Sequence, residues 1–502
     1  MASPPAHGTA GPAGPARHVD TQVIVVGAGP AGLFLAGELA LRGIQVTLVE
    51  QRHRPSTASR ATTLHARTME ILDSRGLLTG LTGAPNEPRG HFGGIPMDLT
   101  LPTPWPGQFK VPQARTEAVL EEWALGLGAD LRCGHTLHTV TARPTHVEAT
   151  ATGRDGTPLT LRAAYLVACD GQDSTVRRLT GAAFPGTPAT RELLRADVNG
   201  IDIPERRFQR LPAGFAVAAR NRAGTTRVMV HAFGTPARDR IPGSAPHFEE
   251  ITDAWKRVTG EDISTGTPLW VNHFDDAARQ LAHYRHGRVL FAGDAAHRQM
   301  PIGGQSLNLA LQDAHNLGFK LAATLDRTAP DTLLDTYHSE RHPVGAAALA
   351  HIRAQAHLLL AGPDIEGLRT VFTELLTHDS VRTRLAEAVS GLGVRYDTGG
   401  PAHPLSGRRV PHVALRVGAI RCCPAELLRS GRGLLLGVGS EPPPLDPRLA
   451  DRIDTVTAGA APRTPLAATP ALLIRPDGHI VWTGGPDGDR LDQATRRWFG
   501  TP

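Results

Sequence analysis

Gly27, Gly29 and Gly32, in the segment GAGPAG with Pro30 and Ala31, stand between an apolar run at 23–26 and an apolar-rich stretch that closes at Arg42-Gly43. Glycines at this spacing, at the junction of a strand and a helix, could hold a pyrophosphate. Gly27 permits a sharp turn, Gly29 lets the backbone approach phosphate oxygens, and Gly32 lets the helix lie close to the strand. The first turn of that helix would aim unpaired N–H groups and the positive dipole end at the anion. A second apolar run, 44–49, ends in Glu50 and Gln51. A carboxylate there can accept from both hydroxyls of an adenosine ribose and would repel a 2′-phosphate, which argues for FAD or NAD rather than NADP at this position. Arg52 nearby softens that argument. Because Gly makes up 54 of the 502 residues, the glycine pattern alone means little; strand, helix, second strand and terminal acid in order carry the reading.

Two further acids end apolar strands. The run 165–169 (YLVAC) is closed by Asp170-Gly171, and 288–293 (RVLFAG) by Asp294. After Asp294 a glycine loop, PIGGQS, leads into a helix whose Leu307, Leu311, Ala314, Leu317 and Leu321 recur at helical spacing. The opening unit's logic is thus repeated: a strand delivers an acid, and a loosened loop exposes a helix start. His297 suggests a general base, against which stands a histidine packed beneath the loop; the second is the expectation. Arg60, in the arginine-rich stretch 51–75, could return to the pyrophosphate or simply be solvated.

The elements that must position these groups form an α/β chain. A length of 502 residues suggests about three domains at roughly 150 residues each. A helix is expected over 111–128, strands over 136–142, 146–152 and 158–162, and a hairpin turn at Asp155-Gly156. From 184 to 284 the texture becomes mostly sheet, with strands expected at 215–219 and 226–233 and a helix at 248–258. This reads as a layer inserted into the first domain. Helices return through about 395, and strands are expected at 432–438, 471–474 and 479–483. The Gly437-Val438-Gly439 echo lacks its third glycine, since Pro442 takes that place.

Composition narrows the function. The net charge of +5 is small for this length, and the basic residues are scattered without a run, which argues against nucleic acid. Cys133, Cys169, Cys422 and Cys423 show no CxxC and no zinc spacing, so free thiols in a reducing cytosol and no metal are expected. Residues 1–19 lack a signal-peptide pattern and read as a disordered extension. The apolar run near 23–42 has about the ~20 residues a bilayer needs, but three glycines, Pro30 and Glu38 interrupt it; no membrane span is expected.

In order, GAGPAG at 27–32, CDGQDSTVRR at 169–178 and GDAAHRQMPIGGQSLNLALQDAHNLGFKL at 293–321 resemble the flavoprotein aromatic hydroxylases, single-component FAD monooxygenases with the p-hydroxybenzoate hydroxylase fold. RATTLHARTMEIL and VPQARTEAVL bring the resemblance closer to bacterial hydroxylases of aromatic polyketides. It covers about 20–400, and LLIRPDGHIVWTG is similar to the thioredoxin-like tail of that subgroup without its CxxC. The resemblance implies a Rossmann-like FAD-binding domain (20–183 with 285–400), an inserted mostly-β substrate domain (184–284) and a thioredoxin-like C-terminal domain (401–502).

By that resemblance Gly27, Gly29, Pro30, Ala31 and Gly32 hold the pyrophosphate, and Glu50 with Gln51 the adenosine. Arg60 contacts the pyrophosphate, Gln113 the ribityl or phosphate region, and main chain near Leu137 the adenine. Asp170 serves the FAD and pyridine-nucleotide environment, Asp294 binds ribityl hydroxyls, and Pro301, Gly303, Gly304, Ser306, Leu307 and Asn308 line the isoalloxazine, with main-chain N–H of Leu307 and Asn308 facing its N1. Ser306 and Gln299 depart from the family's Gly and His or aromatic. NADPH or NADH would reduce the flavin, O2 would add to it, and a C4a-hydroperoxide would hydroxylate a polycyclic aromatic substrate. No catalytic side chain is assigned beyond Pro301 and Arg60 as groups shaping the flavin site. Phe215, Val217, Val228, Val230 and Phe233, at alternate strand positions, are candidate pocket residues, with core packing the alternative. Baeyer–Villiger insertion, epoxidation and a non-redox isomerase or cyclase remain open, and a monomer or homodimer is expected.

Overall fold

The computed structural model describes residues 19–54, 61–221, 224–241, 244–400, 403–485 and 490–501. Arg60 lies outside them. The opening unit forms as its pattern dictates: strand Val23–Val26, helix Pro30–Ala40 with Pro in its first turn, and strand Val46–Glu50. Both strands are buried along their whole length, the apolar continuity expected of a sheet covered on two faces.

They sit in a six-stranded sheet ordered Arg285–His286, Val289–Phe291, Tyr165–Ala168, Val23–Val26, Val46–Glu50 and Asp130–Cys133. All adjacent pairs are parallel except the first, an antiparallel edge. Helix Pro30–Ala40 is covered by helices Gln113–Gly126 and Gln305–Leu325. The approach is close because Gly37 leaves room for the Trp123 ring; a Cβ there would lie 2.1 Å from Trp123 Cζ3.

A five-stranded antiparallel sheet, ordered Arg206–Leu211, Gly214–Arg220, Thr226–Ala232, Glu192–Asn199 and Thr267–Asp275, occupies the middle of the chain. Helix Phe248–Thr259 covers one face through Ile251 and Trp255. Entry and exit of this segment are tied in a small sheet of Gly186–Thr187, Ala278–Gln280 and His297–Arg298. Residues 415–484 form a second six-stranded sheet, backed by helix Leu491–Phe499, and buried ions lock it to the rest. Arg475 pairs with Glu340 of helix Thr332–Leu360 at 2.6 and 3.0 Å, and Arg75 donates to the carbonyls of Leu428 and Pro476.

Among the described residues no single helix is long and apolar enough to cross a membrane.

Candidate functional site

Glu50 ends one strand of this sheet, and Asp294 stands in the turn just beyond another, Val289–Phe291, at the same carboxyl edge. Two strands lie between theirs, so three spacings, roughly 14 Å, separate the acids across the sheet. An elongated ligand laid on this edge would meet Glu50 first, cross the glycine turn at the end of Val23–Val26, pass Asp170 at the end of Tyr165–Ala168, and reach Asp294.

The three glycines have separable reasons to be glycine. Gly27 has φ +98°, and a Cβ would stand 2.5 Å from Cys169 O. A Cβ on Gly32 would stand 2.0 Å from Gly27 O, so only glycine lets the helix begin here. A Cβ on Gly29 meets nothing within 4 Å: its neighbourhood is an open cradle at the uncapped start of helix Pro30–Ala40. That is the geometry of an anion site.

Glu50 is 7 % exposed. Its carboxylate accepts from Ala28 N and Arg52 N, both at 2.8 Å, and from Arg52 Nε at 3.0 Å. Burial opposes ionisation, but these hydrogen bonds and the guanidinium outweigh it and hold the carboxyl below its ordinary value. Gln51 beside it is exposed. Gln113, half-buried at the start of its helix, accepts from Ala61 N at 3.2 Å and donates to Glu117 at 2.7 Å, fixing the chain just after residue 60. Leu137 turns its side chain into the core, and the ladder slips a register between its partner Ala151 and Thr150. Asp170 accepts from Val176 N at 3.0 Å through Oδ2, while its buried Oδ1 has no partner among the described residues. Burial raises its pKa against the hydrogen bonds of that turn.

At the far end, Asp294 lies half-buried in the turn Gly293–Ala295. Exposed Pro301 precedes the turn Ile302–Gly304, whose Gly303 and Gly304 both have φ +67°. Helix Gln305–Leu325 then starts without a side-chain cap. Ser306 and Leu307 are half-buried in its first turn, and Gln299 Nε2 donates to Ser306 Oγ at 3.3 Å, so the two departures touch. Asn308 has another duty: its side chain accepts from His65 N and donates to the carbonyls of Thr63 and Gly304 at 2.7–3.0 Å. Its main-chain N–H falls at the fourth helical position and closes the first hydrogen bond of the helix onto Gly304, so of the two expected main-chain donors only that of Leu307 is left toward a ligand. His65 Nε2 also meets Gly303 O at 2.8 Å, and burial pushes the ring down to about 4, against that hydrogen bond, so it is neutral at pH 7.

Beneath both turns sits Asp313, which carried no role in the sequence reading. Its Oδ2 accepts from Gly293 N at 3.1 Å and meets His297 Nε2 at 2.7 Å; its Oδ1 accepts from Arg341 Nε at 2.7 Å. His297 is fully buried in this cluster, packed under the loop rather than aimed at a substrate. Burial works against the Asp313 charge, but Arg341 and His297 keep its pKa below the ordinary carboxylate value. An acid on the buried stripe of a helix was the available signal; its three partners come from distant segments.

The middle sheet presents two faces, and its register separates the candidate pocket residues. Phe215 pairs with His231 and Val217 with Met229, whereas Val228 pairs with Ala218 and Val230 with Ala216. Directly paired residues share a face. Phe215 and Val217 therefore pack with Leu193, Met300 and Ile302, on the side of the glycine loop, and Phe233 lies against the same cluster. Val228 and Val230 face away, under Trp255 and Ile251, so they are core rather than pocket. The expectation kept pocket and core open for all five residues, because alternation within each strand does not say which alternate set faces which way. It also missed the neighbouring strand, whose Arg195 is 5 % exposed and stacked 4.4 Å from the centres of both Trp270 and Phe274.

The fold and this edge define a dinucleotide-binding flavoprotein with a covering sheet. Residues 20–351 match the family described as FAD binding domain, and residues 403–502 that described as aromatic-ring hydroxylase, C-terminal. The chain belongs to the FAD-binding aromatic-ring hydroxylases, a family of monooxygenases. It is 40 % identical to 12-dehydrotetracycline 5-monooxygenase/anhydrotetracycline 6-monooxygenase of Streptomyces rimosus, over 96 % of this chain and 99 % of that one. The crystal structure of CabE, an aromatic hydroxylase from angucycline biosynthesis, superposes with TM-score 0.89 at 44 % identity, covering 96 % and 99 % of the two chains. Dialkyldecalin synthase of Streptomyces rugosporus is 36 % identical over 95 % of this chain and 98 % of its own.

Proposed function

We propose that this protein is a cytoplasmic, NAD(P)H-consuming FAD monooxygenase that puts one atom of O2 into a polycyclic, polyketide-type aromatic compound, as a hydroxylation. The observation that carries the reading is the single sheet edge on which two acid-bearing strand ends and two uncapped helix starts line up. The residues fit FAD: an open cradle at Gly29 for the pyrophosphate, a buried acceptor at Glu50 for ribose hydroxyls, and the orphaned Asp170 Oδ1 between them. FAD bound here would take two electrons from the nicotinamide and make one oxygen atom available to an electron-rich ring.

The chain's own work is binding, orientation and exclusion of water. Glu50 would exchange its Ala28 hydrogen bond for ribose hydroxyls. The start of helix Gln305–Leu325, equivalent to about half a positive charge, would bear negative charge that develops nearby through the unpaired main-chain N–H of Leu307 in its first turn. Asp313 would hold the turn that carries Asp294. Phe215, Val217, Met300 and Ile302 would form an apolar wall from which water is shut out, and the Arg195 guanidinium would offer donors to a phenolic or carbonyl oxygen. The division we infer is 20–183 with 285–400 for FAD, 184–284 for substrate and 401–502 as a thioredoxin-like tail, in a monomer or homodimer.

Purified protein should be yellow, and NADPH should bleach it without oxygen. With 18O2 and a panel of polycyclic phenols and quinones, mass spectrometry should show one 18O per product; a lactone product would favour Baeyer–Villiger insertion. A non-redox cyclase is the second reading, favoured by the dialkyldecalin synthase relative. Protein that stays yellow with either nicotinamide, substrates present, would support it and reject oxygenation.

A further inference from the structure

Sequence spacing argues against a metal, yet the fold gathers three different metal-ligating side chains at the junction of the FAD-binding part and the C-terminal part. Asp73 ends helix Ala66–Asp73, His412 lies in the segment after residue 403, and Cys423 precedes the short helix Pro424–Leu427. Their ligating atoms all lie within 4.8 Å of one another, with His412 Nε2 4.0 Å from Asp73 Oδ2. The side chains of Asp73 and His412 are only 15 % and 25 % exposed. We propose that Asp73, His412 and Cys423 form a Zn2+ site that staples the C-terminal part to the FAD-binding part.

The chemistry of the donors fits. Thiolate, imidazole and carboxylate are the donor types Zn2+ takes, and arms of 2.0–2.3 Å at tetrahedral angles put donors roughly 3.3–3.8 Å apart. Closing from 4.8 Å requires the donors to approach by about 1 Å. One carboxylate and one thiolate would neutralise the cation, so the partly buried complex would carry no net charge from its ligands. Glu426 stands next to the site, its Oε2 accepting from Cys423 N at 2.9 Å, and could supply the fourth ligand in place of water. Arg429, 4.0 Å from Asp73 Oδ1 and half-exposed, is the competing cation.

The test uses the full-length protein carrying its FAD, stripped with a chelator and titrated with Zn2+ against a chromophoric competitor. One equivalent should bind with a Kd below about 1 μM, a modest demand for a three-ligand site. Cys423→Ser and His412→Ala should each weaken it by roughly 100-fold, at or beyond the 10–100-fold that outer partners of a ligand contribute. Arg429→Ala should tighten it, and bound-flavin absorbance reports that each variant is folded. No uptake at 10 μM Zn2+ by the unaltered protein, or equal uptake by the His412→Ala/Cys423→Ser double variant, overturns the proposal.

Discussion

Asp313→Asn tests the claim that the flavin end is held from beneath. The substitution keeps the volume but gives one of the two oxygens' places to an NH2 group. Asp313 faces three N–H directions: Gly293 N and His297 Nε2 at one oxygen, Arg341 Nε at the other. If the amide oxygen stays with Arg341, the NH2 group can satisfy a neutral His297 ring accepting at Nε2, but it then confronts the Gly293 N–H. In the flipped orientation it confronts the guanidinium. Either way a buried donor loses its acceptor, and the Arg341 charge loses its counter-ion. Removing one partner of a buried pair costs about 3–5 kcal/mol, and retained partial hydrogen bonding puts the expectation at the lower end. With unfolding entropies near 2.1 cal/mol/K per residue over a chain of this length, about 3 kcal/mol lowers the midpoint by roughly 3 °C. The functional signature is separate: Gly293 loosens the turn bearing Asp294, so FAD affinity should fall at least tenfold. Glu340→Gln breaks another buried pair, with Arg475 and Lys320, away from this edge. It should lower the midpoint comparably and leave FAD affinity within twofold. Fluorescence titration of FAD and thermal unfolding on all three proteins decide the matter. Equal FAD affinity in Asp313→Asn and the unaltered protein refutes the positioning role, whatever the melting temperature does.

Further outcomes follow from the same geometry. Gly29→Ala should leave apoprotein stability within about 0.5 kcal/mol yet weaken FAD binding, since its Cβ meets only the open cradle, whereas Gly32→Ala should lose both; calorimetry of apoprotein beside FAD titration separates them. Glu38, beside Arg75 and Arg42, and Glu340, beside Arg475 and Lys320, are held at about 2 against the opposing effect of burial. Folded pKa values below the unfolded ones mean that their contribution is complete above about pH 4.5 and lost as pH falls toward 2. Midpoints measured across that window should fall steeply, and Glu38→Gln should flatten the slope. Val228→Ala should cost about 2 kcal/mol in stability with an unchanged KM, while Val217→Ala should raise KM for the aromatic substrate. The reverse pattern would place the pocket on the other face of the sheet.

The first unit was legible residue by residue, because a tight turn, a phosphate approach and a close helix each impose their own demand on a backbone within a few positions. The strand ending in Asp294 and the helix after it were readable for the same reason. Residues 192–199 were not read as a strand although Leu194, Ala196 and Val198 alternate with Arg195, Asp197 and Asn199; the sequence did not show that Arg195 is buried between aromatic rings or that Asp197 is ion-paired with Arg227 across the sheet. What the chain's order determined, then, was a set of local devices and the acids they present. What the tertiary structure alone decided was which distant groups meet: the register that sends Val228 away from Val217, the convergence of Gly293, His297 and Arg341 on Asp313, and the meeting of Asp73 with His412 and Cys423. Local geometry is written in neighbouring residues. Shared faces and buried charge partners depend on how whole elements pack, and no spacing along the chain encodes that.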